Sequence, residues 1–367
     1  MQKLNTLLWQ SNLSLIVVFA LILSGLLSGE AASAAPYYQG KIITFVVPSG
    51  AGGGTDISAR MISKYLSKYI PGNPKIVIRN MPAAGGLVGA NYVWHAKPNG
   101  LTCLITAGKT VMENILRSKG TEYKLEEMYA IYSSPTGRVY YCKPGLITGP
   151  NDIMTAKGLI FGHGAVTSGT TSGFLWAKEL VGFEVQKMVF GYEGGGAARL
   201  AFLAGEINIS GETTLGYYSS IKSHVEKGEV KPVFQGGLLD SKGNLPREKA
   251  APDIPTPAEL YQKIHGRSPS GLVWEAYKLV AGTSTYNKTV LLPPNTPKEY
   301  INIFRKAAIE MVKDPKFLEE SERMNPGSPH IVGEELASGY PKGVSGPPEV
   351  IQFMRKVLIQ KYGVVFD

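Results

Sequence analysis

The stretch VVPSGAGGGTDISAR, Val46 to Arg60, decides the fold class of this chain. Before it, Ile42 to Val47 is a short β-branched run typical of a buried strand. After it, apolar residues recur at helical spacing as far as Leu66, which predicts a glycine turn and then a helix capped by Thr55 or Asp56. The free backbone N–H groups of such a turn, together with the positive end of the helix dipole, favour an anion above the turn.

The same pattern of strand, glycine-rich turn and helix occurs three more times: MPAAGGLVGAN follows Ile78, HGAVTSGTTSG follows Phe161 and YEGGGAARL follows Phe190. This alternation predicts an α/β fold of two tandem units, with parallel sheets and helices on both faces. Ligands of such sheets bind outside the carboxyl ends of the strands. One loop of this kind is usually an ordinary turn, but four together predict a cleft between two lobes.

Backbone N–H groups and neutral hydroxyls in these loops suit a carboxylate that is held reversibly, without chemistry. The candidate ligand contacts read from the loops are Ser49, Gly52, Gly53, Gly54, Thr55, Asp56, Thr167, Ser168, Thr170, Thr171, Tyr192, Glu193 and Glu212. Two alternatives stay open for several of them. Asp56 is either a helix cap or a ligand contact, and Tyr192 and Glu193 either line the cleft or only form a turn. Glu212, after the predicted strand at 207–210, either meets an amine or hydroxyl or is a solvated loop carboxylate.

The motifs that the loops lack argue against an enzyme. The first loop has neither a Walker ending nor dinucleotide spacing, and the chain has no Gly-x-Ser-x-Gly elbow and no His-Glu-x-x-His. Two cysteines and five histidines show no metal-binding spacing, so we expect no metal and no cofactor. A hydrolase or lyase with Glu212 or Asp56 as its base is the enzymatic alternative. Cys103 and Cys142 lie in strand-like runs, and a disulfide between them stays open.

The first residues predict export across the cytoplasmic membrane. Residues 1–34 have one early lysine, an apolar run from Leu13 to Leu27 and a small-residue site at Ala32-Ser33-Ala34, so we expect a cleaved signal peptide and a periplasmic protein. An uncleaved anchor is the alternative, but the apolar run is shorter than the roughly 20 residues that span a bilayer. The chain has 367 residues and a net charge of +9, but no cluster of basic and aromatic residues that would indicate nucleic-acid binding.

Six segments in one order resemble the substrate-binding receptors of tripartite tricarboxylate transporters, the Bug family. They are ITFVVPSGAGGGTDISARMISKYL, IRNMPAAGGLVGANYV, AKPNGLTCLIT, FGYEGGGAARLAFLAGEINIS, IPTPAEL and LLPPNTPKEYINIFRKA, and they cover nearly the whole mature chain. The resemblance implies a type II periplasmic binding protein fold: two Rossmann-like α/β lobes joined by crossing strands. We expect residues 35–140 and 231–367 to form the first lobe and residues 141–230 the second.

The resemblance also implies a function and a site. It implies a protein that captures a small carboxylate and delivers it to the membrane components of a tripartite transporter; a ligand sensor for a receptor kinase is the alternative. We expect a monomer. One carboxylate would lie against Ser49 to Asp56 and against Ala84 and Gly85, partly through water, with Thr167 to Thr171 at the ligand's far end. Ser49 is smaller than the usual residue and Glu212 replaces an aspartate, so the resemblance does not specify which acid binds. The extra segments at 238–249 and 268–287 have no counterpart in the family.

Overall fold

The computed structural model describes residues 35–239 and 244–366, so the predicted signal peptide at 1–34 lies outside the described residues. Eleven strands of this part of the chain form two sheets. The strands are β1 Ile42–Val47, β2 Lys75–Asn80, β3 Thr102–Ile105, β4 Tyr129–Ser133, β5 Arg138–Cys142, β6 Ile160–Gly162, β7 Lys187–Val189, β8 Ile209–Thr213, β9 Lys231–Gln235, β10 Thr289–Leu292 and β11 Ile331–Val332.

Each sheet has a parallel part and an antiparallel part. The first sheet has the order β11-β4-β10-β3-β1-β2; β1 pairs in parallel with β2 and β3, whereas β10 and β11 run antiparallel to their neighbours. The second has the order β7-β6-β8-β5-β9; β6 pairs in parallel with β7 and β8, and β5 runs antiparallel to β8 and β9. The predicted α/β class with two lobes is therefore confirmed, although both sheets are mixed.

Helices pack on both sheets. They are α1 Gly54–Tyr69, α2 Leu87–Trp94, α3 Gly108–Leu116, α4 Gly169–Val181, α5 Gly195–Ala204, α6 Thr214–Ser220, α7 Lys222–Glu226, α8 Pro257–His265, α9 Leu272–Gly282, α10 Lys298–Met311, α11 Pro315–Met324, α12 Gly333–Gly343 and α13 Pro348–Tyr362. Helices α10 and α13 each bury one apolar face, as amphipathic helices do. Sequence reasoning did not predict α3, which begins directly after β3 and contributes to the site described below.

The chain crosses between the sheets through short connections. Residues 134–137 link β4 of the first sheet to β5 of the second, and the chain returns to the first sheet at β10. Strand β5 spans the predicted lobe boundary after Tyr140, and β9 lies after Val230 yet pairs within the second sheet. Apolar side chains of α13 share a core with those of α4. We therefore propose to count β5, β9 and the C-terminal helix with the second lobe.

The two extra segments have defined positions. The described part of the first, residues 244–249, packs Leu245 into the core of the second lobe. The second segment contains all of α9, which packs against α4, and the 3-10 turn Thr283–Tyr286. Both segments therefore lie beside the connections between the lobes.

Cys103 and Cys142 are free and fully buried, one in each sheet. Burial raises the pKa of the Cys142 thiol to about 11 and raises that of Cys103 as well. Both cysteines therefore carry protonated thiols in the cores.

Within residues 35–239 and 244–366, no helix is both long and apolar enough to cross a bilayer.

Candidate functional site

A cavity of about 100 Å³ lies between the lobes, at the carboxyl ends of the parallel strands. Residues from all four predicted loops line it, and the connection between β3 and α3 contributes a fifth loop. A water molecule needs roughly 10–15 Å³ of such space, so the cavity can hold a small organic molecule. The predicted convergence of the four loops on one cleft therefore agrees with the geometry.

The first loop contributes Ser49, Gly53, Gly54 and Thr55 to the cavity wall. The N-cap of α1 is Gly53, with an extended φ of −83° and ψ of 164° and no side-chain cap, so the predicted capping by Thr55 or Asp56 is wrong. The Thr55 hydroxyl instead accepts a hydrogen bond from Lys288 Nζ at 2.9 Å. The loop therefore presents its backbone, and not a capping side chain, to the cavity.

Asp56 is buried behind this loop and does not line the cavity. Its carboxylate accepts hydrogen bonds from the Gly52 N–H at 3.0 Å, from Arg60 Nε at 2.9 Å and from Asn80 Nδ2 at 3.0 Å. These hydrogen bonds hold its pKa below the usual value in spite of burial. Asp56 therefore shapes the loop, as does Gly52, which also lies outside the cavity lining.

The second loop and the fifth loop, between β3 and α3, meet on the first-lobe side of the cavity. Gly85 lines the wall, whereas Ala84 turns its carbonyl oxygen to Lys109 Nζ, at 3.3 Å. Lys109 also forms an ion pair of 3.1 Å with Glu113, one turn further along α3. Burial raises the pKa of Glu113 to about 7 against the opposing effect of Lys109.

The N-terminus of α4 forms the second-lobe side of the cavity. Ser168 is the N-cap of α4, and Ser168 and Thr170 line the wall. Thr171 and Thr167 do not: the Thr171 hydroxyl donates to the Gly164 carbonyl at 3.1 Å, and the Thr167 hydroxyl donates to Glu113 of α3 at 3.3 Å. Thr167 therefore joins the lobes beside the cavity.

Tyr192 and Glu193 line the rim of the cavity. The Glu193 carbonyl accepts a hydrogen bond from the Gly50 N–H of the other lobe at 3.0 Å. A second contact across the rim places Arg199 Nη2 3.4 Å from the Gly52 carbonyl. The rim loops therefore both line the cavity and join the lobes.

Glu212 lines the cavity but is not a solvated loop carboxylate. Strand β8 extends to Thr213, so Glu212 lies inside the strand and is only 1% exposed. Its Oε1 accepts a hydrogen bond from Arg199 Nη1 at 2.8 Å. Burial raises its pKa to about 7, opposed by Arg199 and Lys288. Because Arg199 already pairs with it, Glu212 is a poor partner for a ligand amine.

The sequence analysis missed three buried, basic side chains that also line the cavity: Arg138, His163 and Lys288. Arg138 is the first residue of β5 and is 2% exposed; its Nη1 donates to Ser284 Oγ at 2.6 Å. Lys288 directly precedes β10 and is 1% exposed. The sequence did contain a signal that could have identified them, because each of these basic residues lies at the edge of an apolar, strand-like run.

The charges of Arg138 and Lys288 have no close counter-ion. No carboxylate oxygen of the described residues lies within 4.0 Å of either side chain's nitrogens. Burial, with the nearby Arg138 charge, lowers the pKa of Lys288 to about 7. Burial and Arg138 likewise lower the pKa of His163 to about 4, so this imidazole is neutral at pH 7.

Several cavity-lining side chains carry buried polar atoms with no hydrogen-bond partner among the described residues. These atoms are Ser49 Oγ, Arg138 Nε, both ring nitrogens of His163 and Asn287 Oδ1. Leaving such groups unpaired costs about 1–3 kcal/mol each, which favours a polar ligand over an apolar one. Within residues 35–239 and 244–366, no three His, Cys, Asp or Glu side chains are placed to hold a metal ion.

Comparison with known proteins agrees with this geometry. A UPF0065 protein of Bordetella bronchiseptica is 26% identical over 291 residues, which are 77% of each chain. A UPF0065 protein of Bordetella pertussis is also 26% identical, over 305 residues, 80% of this chain and 83% of the relative. No family model matches the chain.

Several solved structures are similar to this chain. One is the periplasmic binding protein BugD, which matches with a TM-score of 0.65 at 19% identity, and the match covers 89% of this chain and 99% of BugD. The chain resembles the Bug receptors in fold. MatC of Rhodopseudomonas palustris, solved with bound malate, has a TM-score of 0.64 at 19% identity, covering 87% of this chain and 99% of MatC. A second R. palustris protein, solved with adipate, has a TM-score of 0.63 at 19% identity, and the match covers 87% of this chain and 96% of that protein. The predicted resemblance to Bug receptors and the type II periplasmic binding protein fold are thus confirmed.

Proposed function

We propose that this protein is an extracytoplasmic solute-binding protein of the Bug family. It captures a small carboxylate between its lobes and delivers it, as a monomer, to the membrane components of a tripartite tricarboxylate-type transporter. Residues 1–34 direct its export to the periplasm and are then removed. The protein binds its ligand without converting it.

The observation that carries this proposal is the chemistry of the interlobe cavity. Helices α1, α3, α4 and α5 begin at its wall, so several helix dipoles place their positive ends there. Arg138 and Lys288 add buried positive charge, and Ser49 and His163 add unpaired polar atoms. This set of donors is complementary to an anion with hydrogen-bond acceptors, such as a carboxylate. The malate and adipate bound by MatC and the second R. palustris protein support the same class of ligand.

The contacts between the lobes support a receptor that closes over its ligand. The rim contacts of Gly50 with Glu193 and of Arg199 with Gly52 connect loops of opposite lobes beside the cavity. Closure around a ligand at crossing strands is a common hinge motion. A transporter can distinguish such a closed receptor from an open one by the shape of the rim.

Thermal unfolding of the mature protein tests the proposal. The protein is first unfolded and refolded to remove any co-purified ligand, and then heated with monocarboxylates, dicarboxylates, tricarboxylates, aromatic acids and amino acids. Because a ligand that binds the native state stabilises it, one class of acid is expected to raise the melting temperature by several degrees. NMR of that acid after incubation is expected to find it unchanged. If none of these acids raises the melting temperature, carboxylate binding is contradicted. If NMR finds a new product, a purely binding role is contradicted.

A further inference from the structure

Arg138 occupies an unusual position, between the beginnings of two helices from opposite lobes. A Cβ built on Gly108, the first residue of α3, would lie 2.8 Å from Arg138 Nη2 and 3.0 Å from the Cα of Gly169. A Cβ on Gly169, the first residue of α4, would lie 2.4 Å from the same nitrogen. Only glycine at both positions leaves room for the guanidinium. The positive ends of α3 and α4 therefore meet at the Arg138 side chain.

Both extra segments of the chain lie against Arg138. From the second segment, Ser284 accepts the hydrogen bond from Nη1 at 2.6 Å, and Thr283 Oγ1 lies 3.5 Å from Nη2. The first segment brings in the buried carboxyl of Glu248, which acts on the Arg138 charge from more than 4.0 Å away. The Thr214 hydroxyl donates to Glu248 at 2.7 Å. These segments hold the guanidinium in one place without neutralising it by a direct ion pair.

Part of the hydrogen-bonding capacity of this group remains free. Arg138 is 2% exposed and its Nε has no partner among the described residues, and the same is true of both ring nitrogens of the neighbouring His163. Both side chains line the cavity. Lys288 adds a second charge, whereas the cavity acid Glu212 already pairs with Arg199. The Arg138 guanidinium thus lies apart from the Ser49–Asp56 loop, at the N-termini of α3 and α4, whereas Lys288 donates to Thr55 of that loop at 2.9 Å and also interacts with the Arg138 charge.

We propose that Arg138, with Lys288 and His163, binds a second anionic group of the ligand directly, so that the receptor selects small dicarboxylates over singly charged acids of the same size. The inference rests on the proposed function, because it concerns the same cavity. The first carboxylate lies against the Ser49–Asp56 loop and the second against the guanidinium. A guanidinium can hold a carboxylate through charge-assisted hydrogen bonds, which are the strong ones.

Matched ligands test the role of charge separately from size. Succinate, glutarate and adipate, each beside its own monoamide, are titrated into the refolded mature protein by calorimetry. Wild-type protein is expected to bind its preferred dicarboxylate at least tenfold more tightly than the monoamide, which keeps the length but loses one charge. Equal affinity for acid and monoamide overturns the inference while leaving the proposed function intact. Failure of all six to bind overturns the inference as well, and the wider acid panel then decides whether the proposed function also fails.

An Arg138→Gln variant assigns the discrimination to this residue. We expect its preference for the dicarboxylate over the monoamide to fall to about threefold or less, mainly through loss of dicarboxylate affinity. Arg323→Gln, a substitution on helix α11 outside the cavity, is the matched control and is expected to keep the wild-type ratio. A wild-type ratio in a folded Arg138→Gln protein overturns the assignment. If Arg138→Gln does not fold, the test rests on two other measurements. One is the preference of the wild-type protein for the dicarboxylate over the monoamide. The other is the same preference in a Lys288→Met variant, which we expect to be reduced.

Discussion

At the scale of single residues, the cavity is defined by buried charges that lack close partners. Lys288 is the clearest case, since it faces Thr55 of α1, Arg138 of β5 and Glu212 of β8. Burial and the Arg138 charge together outweigh the attraction of Glu212 and bring its pKa down to about 7. In the unfolded chain a lysine has its ordinary pKa near 10.4. Between these two values the unfolded state binds more protons than the folded state, so this group makes stability increase with pH.

Lys288→Met should therefore stabilise the ligand-free protein. The methionine removes a buried charge, and we expect a rise of a few degrees in melting temperature at pH 7. The gain should shrink by up to about 1.4 kcal/mol per pH unit between pH 7 and 10, because wild type itself is stabilised there. Chemical unfolding at pH 7, 8 and 9 measures the difference. A constant gain, or a loss at pH 7, would contradict a buried and costly Lys288.

Glu248→Gln tests a group whose titration should make stability fall, and not rise, with increasing pH. Burial raises the pKa of the Glu248 carboxyl to about 7, so between about 4.5 and 7 the folded state binds more protons and stability falls as pH rises. Glutamine does not titrate and can still accept from Thr214. We expect the melting temperature of the variant, relative to wild type, to increase by a few degrees from pH 5 to pH 8.

Glu259→Gln is the control for this experiment. Glu259 is partly exposed, pairs with Arg247 and has a pKa below its usual value, so it is ionised in both states between pH 5 and 8. Its effect on the melting temperature should therefore be constant over that range. A parallel pH dependence of the two variants would show that the Glu248 carboxyl is not responsible for the change.

At the scale of secondary-structure elements, the glycine loops were predictable from sequence, whereas their charged companions were not. A glycine turn between a strand and a helix is a local pattern, so Val46 to Arg60 indicated both the fold and the position of the interlobe cavity. Arg138 and Lys288 are 150 positions apart, and only the packing of β5 beside the approach to β10 brings them together. Local propensity carries no information on that contact.

The roles of two acids show the same limit. The sequence correctly placed Asp56 and Glu212 near the edge of the sheets at which the parallel strands have their carboxyl ends. Whether each faces the ligand depends on its partners, Arg60 and Asn80 for Asp56 and Arg199 for Glu212. One of those partners, Asn80, lies on the neighbouring strand β2, so spacing alone could not identify it. Sequence reasoning therefore located the cavity better than it assigned roles to the side chains around it.

Gly50→Ala tests the rim contact between the lobes. A Cβ at Gly50 would lie 2.7 Å from the Glu193 carbonyl oxygen of the other lobe, too close for the closed arrangement. Overpacking of this kind costs about 1–3 kcal/mol, so we expect carboxylate affinity to fall about tenfold or more. The melting temperature without ligand should change little, because opening of the lobes relieves the contact.

Gly282→Ala provides the matched control. It lies at the end of α9, has helical backbone angles and would place its Cβ 3.4 Å from Leu239 Cδ2, an ordinary contact. Its affinity should equal that of wild type. If Gly50→Ala also binds like wild type, the rim contact has no part in holding the ligand.

At the scale of the whole molecule, two mixed sheets, connected strands and rim contacts surround one cavity of net positive character. The extra segments fit this arrangement, since residues of both support Arg138. The overall charge of +9 adds a long-range attraction for anions. The architecture of the whole molecule therefore fits the proposed capture of a small acid between the lobes.

Titration calorimetry of the refolded mature protein with the acid that most raises its melting temperature tests this claim most directly. We expect one site per chain and a dissociation constant in the micromolar range or below, with affinity weaker in Arg138→Gln than in Arg323→Gln. Absence of binding heat at millimolar acid, confirmed by an unchanged melting temperature, would contradict the claim that this cavity is a carboxylate site.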